Sequence, residues 1–193
     1  EYYNMSTDIF VVDTQWLIER LEEEAQKEHP EKLRYVLRDL AAESGAFAYE
    51  YTGYLANIHS VETYYQANID MLDLHKFYSL FSPNQKIHTK VKNEEPTYYA
   101  PGCEVNTSQF ASGSIVEGKV DRSVVSRNVQ IHKDSLVKES IVFPRVVIGE
   151  GAQVEYAIID KGAEVADGVV IRGTAENPVV IKKGEKVTED ILS

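Results

Sequence analysis

Ile148-Gly-Glu-Gly-Ala-Gln153, Ile159-Asp-Lys-Gly-Ala-Glu164 and Val165-Ala-Asp-Gly-Val-Val170 are three copies of one six-residue pattern. Each opens on an aliphatic residue, carries glycine fourth and places a small apolar residue (Ala152, Ala163, Val169) fifth. Working outward from these copies, an apolar residue recurs at Val105, Phe110, Ile115, Val120, Val125, Ile131, Val137, Val142, Ile148, Val154, Ile159, Val165 and Ile171. A helix repeats every 3.6 residues and a strand every 2, so a step of roughly five or six fits neither. A period near six is the mark of a parallel β-helix, in which each hexad forms one short strand and one corner. The first and fifth residues then face inward. Glycine and polar residues take the corners, where unusual backbone angles are cheap. One such coil cannot bury its own apolar face, and stacked neighbours do so instead. Three hexads per coil make the stretch from Val105 to Ile171 about four coils. The match is weakest from Phe110 to Val125, where the steps are short. A run of ordinary antiparallel strands is the alternative, and so long a row in register speaks against it.

The bulk properties narrow the class of function. The 193 residues suffice for two small domains, and the apolar content of 43% is that of a globular protein. A net charge of −11 speaks against nucleic acid and against an anionic membrane as partners, because both need a basic surface. Cys103 is the one cysteine, so no internal disulfide can form, and a reducing cytoplasm is expected. No apolar run reaches membrane-spanning length, and no segment reads as a signal peptide. The opening Glu1-Tyr2-Tyr3 reads like the interior of a longer protein.

In chain order, the segment 1–84 alternates strand and helix signals. Ile9 to Val12 is a short apolar run readable as a buried strand. Asp13 or Thr14 caps a helix carrying Trp16, Leu17 and Leu21. Pro30 opens a second helix with Leu33, Val36, Leu37 and Leu40 on its inner stripe, and Gly45 ends it. Phe47 to Tyr51 alternates and is aromatic, as strands are. Ser60 caps a third helix whose inner face is Val61, Tyr64, Tyr65 and Ile69. A short helix through Leu74 to Leu80 is broken by Ser82-Pro83-Asn84. This reads as the C-terminal part of an α/β domain. Residues 85–102 form a polar linker containing Pro96 and Pro101, and 103–193 form the β-helix. Asn177-Pro178 gives a late turn, and Val179 to Ile181 a final strand that closes the open end.

The chain has no glycine-rich phosphate loop of either common kind. Its five histidines (His29, His59, His75, His88, His132) lack ligand spacing, and one cysteine cannot build a zinc site. His132 falls on a hexad corner. A general base needs an orienting partner and a substrate groove, and the sequence identifies neither for it.

Two stretches carry a family resemblance. Glu50-Tyr-Thr-Gly-Tyr-Leu-Ala-Asn57-Ile-His59-Ser60, with Tyr64-Tyr-Gln-Ala67-Asn68, resembles the YWxDVGTxxxYxxAN segment of glucose-1-phosphate adenylyltransferases, the ADP-glucose pyrophosphorylases. Lys86-Ile-His-Thr-Lys-Val-Lys-Asn-Glu-Glu-Pro-Thr97 resembles their linker, and Val142 to Gly149 with Ile158 to Gly168 their C-terminal domain. The resemblance implies part of a nucleotidyltransferase domain followed by a left-handed parallel β-helix of hexapeptide repeats. It further implies formation of ADP-glucose and pyrophosphate from ATP and glucose 1-phosphate for bacterial glycogen synthesis, with Mg²⁺ as the family's cofactor. The partners it implies are adenylyltransferase subunits in homo- or hetero-oligomers, with a phosphorylated sugar as effector. The family's ATP loop and sugar-phosphate lysine would precede residue 1, so this stretch alone is expected to be inactive and to hold no cofactor.

Departures from the family pattern matter as much. Asn57 stands where catalytic members carry the aspartate that helps hold Mg²⁺, and magnesium prefers hard anionic oxygens. His59 stands where they carry glycine. Ser6-Thr-Asp8-Ile-Phe10 replaces Ser-Met-Gly-Ile-Tyr, so that Ser6 is retained beside the expected glucose while Asp8 brings a carboxylate towards an anionic sugar phosphate. Ser6, Asp8 and Asn57 are thus a vestigial substrate site by resemblance. A GlgD-type regulatory subunit, which resembles and assembles with the catalytic subunit, fits these losses. The alternatives are a catalytically active adenylyltransferase subunit and a hexapeptide-repeat acyltransferase using His132. Arg122, Arg127, Lys133, Arg145, Lys161 and Arg172 are the cations scattered over the β-helix, and they define no anion site in the sequence.

Overall fold

A computed structural model of the protein describes residues 6–7, 9–43, 45–82, 86–89 and 92–193. Two compact units divide between Thr52 and Gly53.

In the first unit, helix α1 (Thr14–Ala25) starts at Asp13, whose Oδ1 accepts the Trp16 N–H at 2.9 Å. Helix α2 (Leu33–Glu43) starts three residues later than Pro30 predicts. The Glu31 N–H donates to Glu24 Oε1 at 2.9 Å, which holds residues before Leu33 as a connection between helices rather than a first turn. Gly45, at φ 67°, ends α2 in the left-handed region that glycine occupies without strain. The strands expected over 9–12 and 47–51 do not form. A strand needs a neighbour for its N–H and C=O groups, and among the described residues before Tyr98 there is no strand for either to pair with. Ile9, Val11, Phe47 and Tyr49 are accordingly exposed.

The second unit opens with α3 (Val61–Ile69), a 3₁₀ turn (Asp70–Leu72) and α4 (Leu74–Leu80). Ser60 caps α3 as expected, and Thr63 completes the capping box: the Thr63 N–H donates to Ser60 Oγ at 3.1 Å and Thr63 Oγ1 accepts the Ser60 N–H at 3.0 Å. Asp73 caps α4 by accepting the N–H groups of His75 and Lys76. Pro83 and Asn84 of the expected break lie outside the described residues.

From Tyr98 onward the chain winds into a parallel β-helix with three sheets of six, six and five strands among the described residues. The stretch from Val105 to Ile171 makes four coils, and the fold extends beyond it at both ends. Tyr98–Tyr99, within the segment read as linker, pairs with Ile115–Val116. Val179–Ile181 pairs with Ala157–Ile159 but does not close the end, because Lys186–Val187 and Ile191–Leu192 add to the other two sheets. Val120, Val137, Val154 and Ile171 stack in register, as do Ile131, Ile148 and Val165. Equivalent residues lie 17 apart, as in the pairs Ser123–Ser140 and Ser140–Ala157. A regular coil is therefore two hexads and a pentad, one residue short of three hexads.

The pentad has a physical cause. At the corner between the second and third sheets one residue takes a left-handed φ (Thr107 40°, Arg122 44°, Glu139 46°, Tyr156 50°) and the chain re-enters a strand almost at once. The residue after it is Ser108, Ser123, Ser140 or Ala157, and the three serines form a ladder. Ser123 Oγ donates to the Asp121 carbonyl at 2.8 Å and accepts the Ser140 N–H at 3.1 Å. Ser140 Oγ donates to the Lys138 carbonyl at 2.7 Å and accepts the Ala157 N–H at 3.1 Å. Each hydroxyl thus satisfies one backbone group in its own coil and one in the next. Ser140→Ala is expected to leave the buried Ala157 N–H without an acceptor and to cost about 1–3 kcal/mol, read as a lowered urea midpoint with an unchanged slope.

The inward row is the expected one except at its start. Ile115 is 45% exposed, and its neighbour Val116 is fully buried in its place. The step from Val116 to Val120 turns the corner through Glu117-Gly118 alone. Gly118 is required there, since a Cβ would come within 2.4 Å of Ser135 Oγ. Val105, in the outermost coil, is also exposed, while Phe110 packs at the margin of the core. The fifth-position residues Ala152, Ala163 and Val169 are buried, and Lys133, Glu150 and Asp167 are exposed corners.

Candidate functional site

Of the three residues expected at a vestigial substrate site, Ser6 is exposed in the first unit and Asp8 lies outside the described residues. Asn57 belongs to the second unit, on the exposed segment that leads into α3. His59 Nδ1 lies 3.2 Å from the Asn57 backbone carbonyl, and the His59 N–H donates to Thr63 Oγ1 at 3.1 Å. The His59 imidazole therefore folds back on the strap, and Thr63 ties that strap to the first turn of the helix. Asn57 is a neutral amide, and the described residues contain no group of three or more His, Cys, Asp or Glu side chains placed to hold a metal.

Behind the strap, Asp70 accepts hydrogen bonds from Tyr54 Oη at 3.0 Å, Gln66 Nε2 at 2.9 Å and Lys76 Nζ at 2.7 Å. Partial burial opposes ionisation of Asp70, but the three donors prevail and hold its carboxyl below the ordinary range. Burial and the bond to that carboxylate push the Tyr54 phenol up to about 12. A cleft of about 380 Å³ runs past Gln66, Asp70, Asp73, Lys76 and Arg122. Its charges are already answered: Lys76 by Asp70, Arg122 by Glu139 at 2.6 Å, and Asp73 by the α4 backbone.

α3 lies on the outer face of the third sheet. Tyr65 and Ile69 pack with Ile141 and Ile158, and Tyr64, Leu72, Phe143, Tyr156 and Ala175 border the cluster. Tyr65 is 1% exposed, and its hydroxyl donates to the Glu139 backbone carbonyl at 2.7 Å. Burial raises the phenol well above its usual range, so it remains a donor at any ordinary pH. Gln109 Nε2 donates to the Met71 carbonyl, a second bond from the β-helix to the helical segment. Sequence periodicity places Tyr65 on the inner face of α3, but the corner it bonds lies 74 residues away and leaves no local signal.

His132 has a partner that the sequence did not reveal. Its Nδ1 lies 3.3 Å from Glu117 Oε2, one coil earlier, beside a hollow of about 220 Å³ bordered by Val147, Gly149, Ala166 and Lys186. The two residues are 15 apart, and only the lengths of the coils bring them together. Among the β-helix cations, Arg122, Arg127 and Arg172 pair with Glu139, Glu94 and Glu155.

Residues 95–190 match the family described as GlmU-like, C-terminal hexapeptide. Among known proteins, the chain is 35% identical over 136 residues to the glycogen biosynthesis protein GlgD of Bacillus subtilis (strain 168), covering 70% of this chain and 40% of that one. It is 28% identical over 194 residues to the glucose-1-phosphate adenylyltransferase of Corynebacterium jeikeium (strain K411), covering 91% and 48%. It is 31% identical over 140 residues to the same enzyme of Bacillus mycoides (strain KBAB4), covering 72% and 37%. The chain spans less than half the length of each of these relatives. Among the described residues no helix is long and apolar enough to cross a membrane.

Proposed function

Because the chain belongs to the glucose-1-phosphate adenylyltransferase family, as a GlgD-type C-terminal part with a left-handed β-helix of hexapeptide repeats, we propose that it serves as a regulatory subunit of an ADP-glucose-forming assembly in glycogen biosynthesis. In this reading its partner is a catalytic adenylyltransferase subunit in the cytoplasm, and a phosphorylated sugar is the class of effector. The observation that supports it best is the strap before α3. By resemblance, a neutral Asn57 stands where catalytic members carry the metal-binding carboxylate and His59 where they carry glycine; the His59 ring lies 3.2 Å from the Asn57 carbonyl.

Both changes act against nucleotidyl transfer. Magnesium neutralises charge that develops on the phosphates, and an amide oxygen offers it less than a carboxylate does. Ser6 is proposed to lie beside the sugar. Asp8 is proposed to repel its phosphate. A subunit of this kind contributes through differential contacts with two states of its partner, since only such differences shift an equilibrium.

The test is to mix the full-length protein with a catalytic subunit of the same organism. A common elution position, together with a changed KM or kcat of the catalytic subunit, is the expected result. Separate elution with unaltered kinetics would remove the regulatory reading. The His132–Glu117 contact favours acyl transfer as a second reading, because a carboxylate can orient an imidazole as a base. Acetylation of an amino sugar from acetyl-CoA, lost in His132→Ala, would support it.

A further inference from the structure

The break between compact units falls at Thr52–Gly53, so the strap bearing Asn57, α3 and the β-helix belong to one body. Within that body the direct polar link from α3 to the solenoid is the hydroxyl of Tyr65 on the Glu139 carbonyl. Glu139 is a corner residue at φ 46°, a conformation that a non-glycine side chain adopts at a cost. Its side chain is held by Arg122 from the coil below, and Ser140, next along, belongs to the serine ladder. The corner is therefore fixed from two coils, and Tyr65 reads its position. At the other end of the same helix, the Ser60–Thr63 box and the bond from the His59 N–H to Thr63 Oγ1 tie the strap to the first turn. The helix is two and a half turns long and stiff on that scale.

We propose that Tyr65 is a positioning residue that couples the Asn57–Ser60 strap to the Glu139 corner of the β-helix. The hydroxyl locks the register of α3 on the third sheet, where the aliphatic contacts of Ile69 with Ile141 and Ile158 would permit sliding. A displacement of the coil at Glu139 then moves the strap. The kinetic part of this proposal rests on the regulatory reading above, whereas the positional part does not.

Tyr65→Phe removes the hydroxyl and keeps the ring. In the full-length protein, backbone amides of residues 54–69 should exchange with deuterium about tenfold faster, the factor expected for loss of one buried hydrogen bond. Amides of Val147–Ile148 and Glu164–Val165 should be unchanged. With the catalytic partner, the variant should still co-assemble, yet the shift it causes in the partner's KM should fall by about half or more. Arg172→Ala breaks a strand-to-strand pair with Glu155 about two coils further along and should alter neither readout. Exchange over 54–69 equal to that of the wild type would overturn the positioning role, and faster exchange with the full KM shift retained would overturn its kinetic part. If the wild type itself causes no KM shift, the regulatory reading fails and the exchange rates alone decide for or against Tyr65.

Discussion

Val154→Asp is expected to unfold the β-helix at ordinary temperature. Val154 is fully buried, stacked between Val137 and Ile171 in the middle of the second sheet, with the fifth-position residues Ala152 and Val169 beside it. No cation and no free donor lies in that row, so a carboxylate there is either ionised without a partner or protonated at the cost of a large pKa shift. Either way the loss is about 4–5 kcal/mol or more, a large share of the stability of a domain of this size. Solenoid coils depend on their neighbours, so a break in a central coil uncouples both halves. The neighbouring Gln153→Asp puts the same charge on the exposed face of the same strand and should stay within about 0.5 kcal/mol of the parent. Thermal and urea unfolding of the two variants side by side read the inward–outward alternation directly. Equal melting of Val154→Asp and the parent would show the register to be wrong.

The purified full-length protein, assayed alone, should form ADP-glucose about a hundredfold or more slower than a catalytic relative, the loss typical of removing one charge-stabilising group from a transition state. Asn57 supplies an oxygen without the charge that offsets dehydration of magnesium. Asn57→Asp should restore little by itself. The His59 ring still lies against the carbonyl of residue 57, and Thr63 still anchors the strap through the His59 N–H. The double change Asn57→Asp, His59→Gly should recover more than the sum of its parts, because the two residues share one strap and adjacent effects do not add. Turnover by the unaltered protein equal to that of a catalytic relative would remove the regulatory reading and leave the active-enzyme alternative in its place.

Burial and repeat were legible because they are local. One inward residue every five or six positions, with glycine or a polar residue between, has no other good solution, and the coil follows from that pattern alone. Ser60 as a cap, Gly45 as a stop and the inward side of Ala152, Ala163 and Val169 were readable for the same reason: each depends on residues within one turn or one hexad. The family resemblance at Asn57 also resides in a short contiguous motif. Local patterning thus carried the solenoid, its approximate register and the chemical identity of the strap.

Whatever depends on distance in space emerged only with the folded coils. Val116 replaced Ile115 in the inward row because the two-residue corner Glu117-Gly118 shortens the step to Val120, and Gly118 is fixed there by its closeness to the next coil, not by local preference. Ile9 to Val12 and Phe47 to Tyr51 have strand sequences but no strand to pair with among the described residues, and a ladder cannot be made by one partner. Glu117 met His132, and Tyr65 met Glu139, only once the number of residues per coil was known. That number is 15 in the early coils, where Glu117 meets His132, and 17 in the later ones, where each strand of the third sheet restarts directly after a left-handed corner. Hydrogen bonds between coils are absent from any single hexad, so no hexad could announce them.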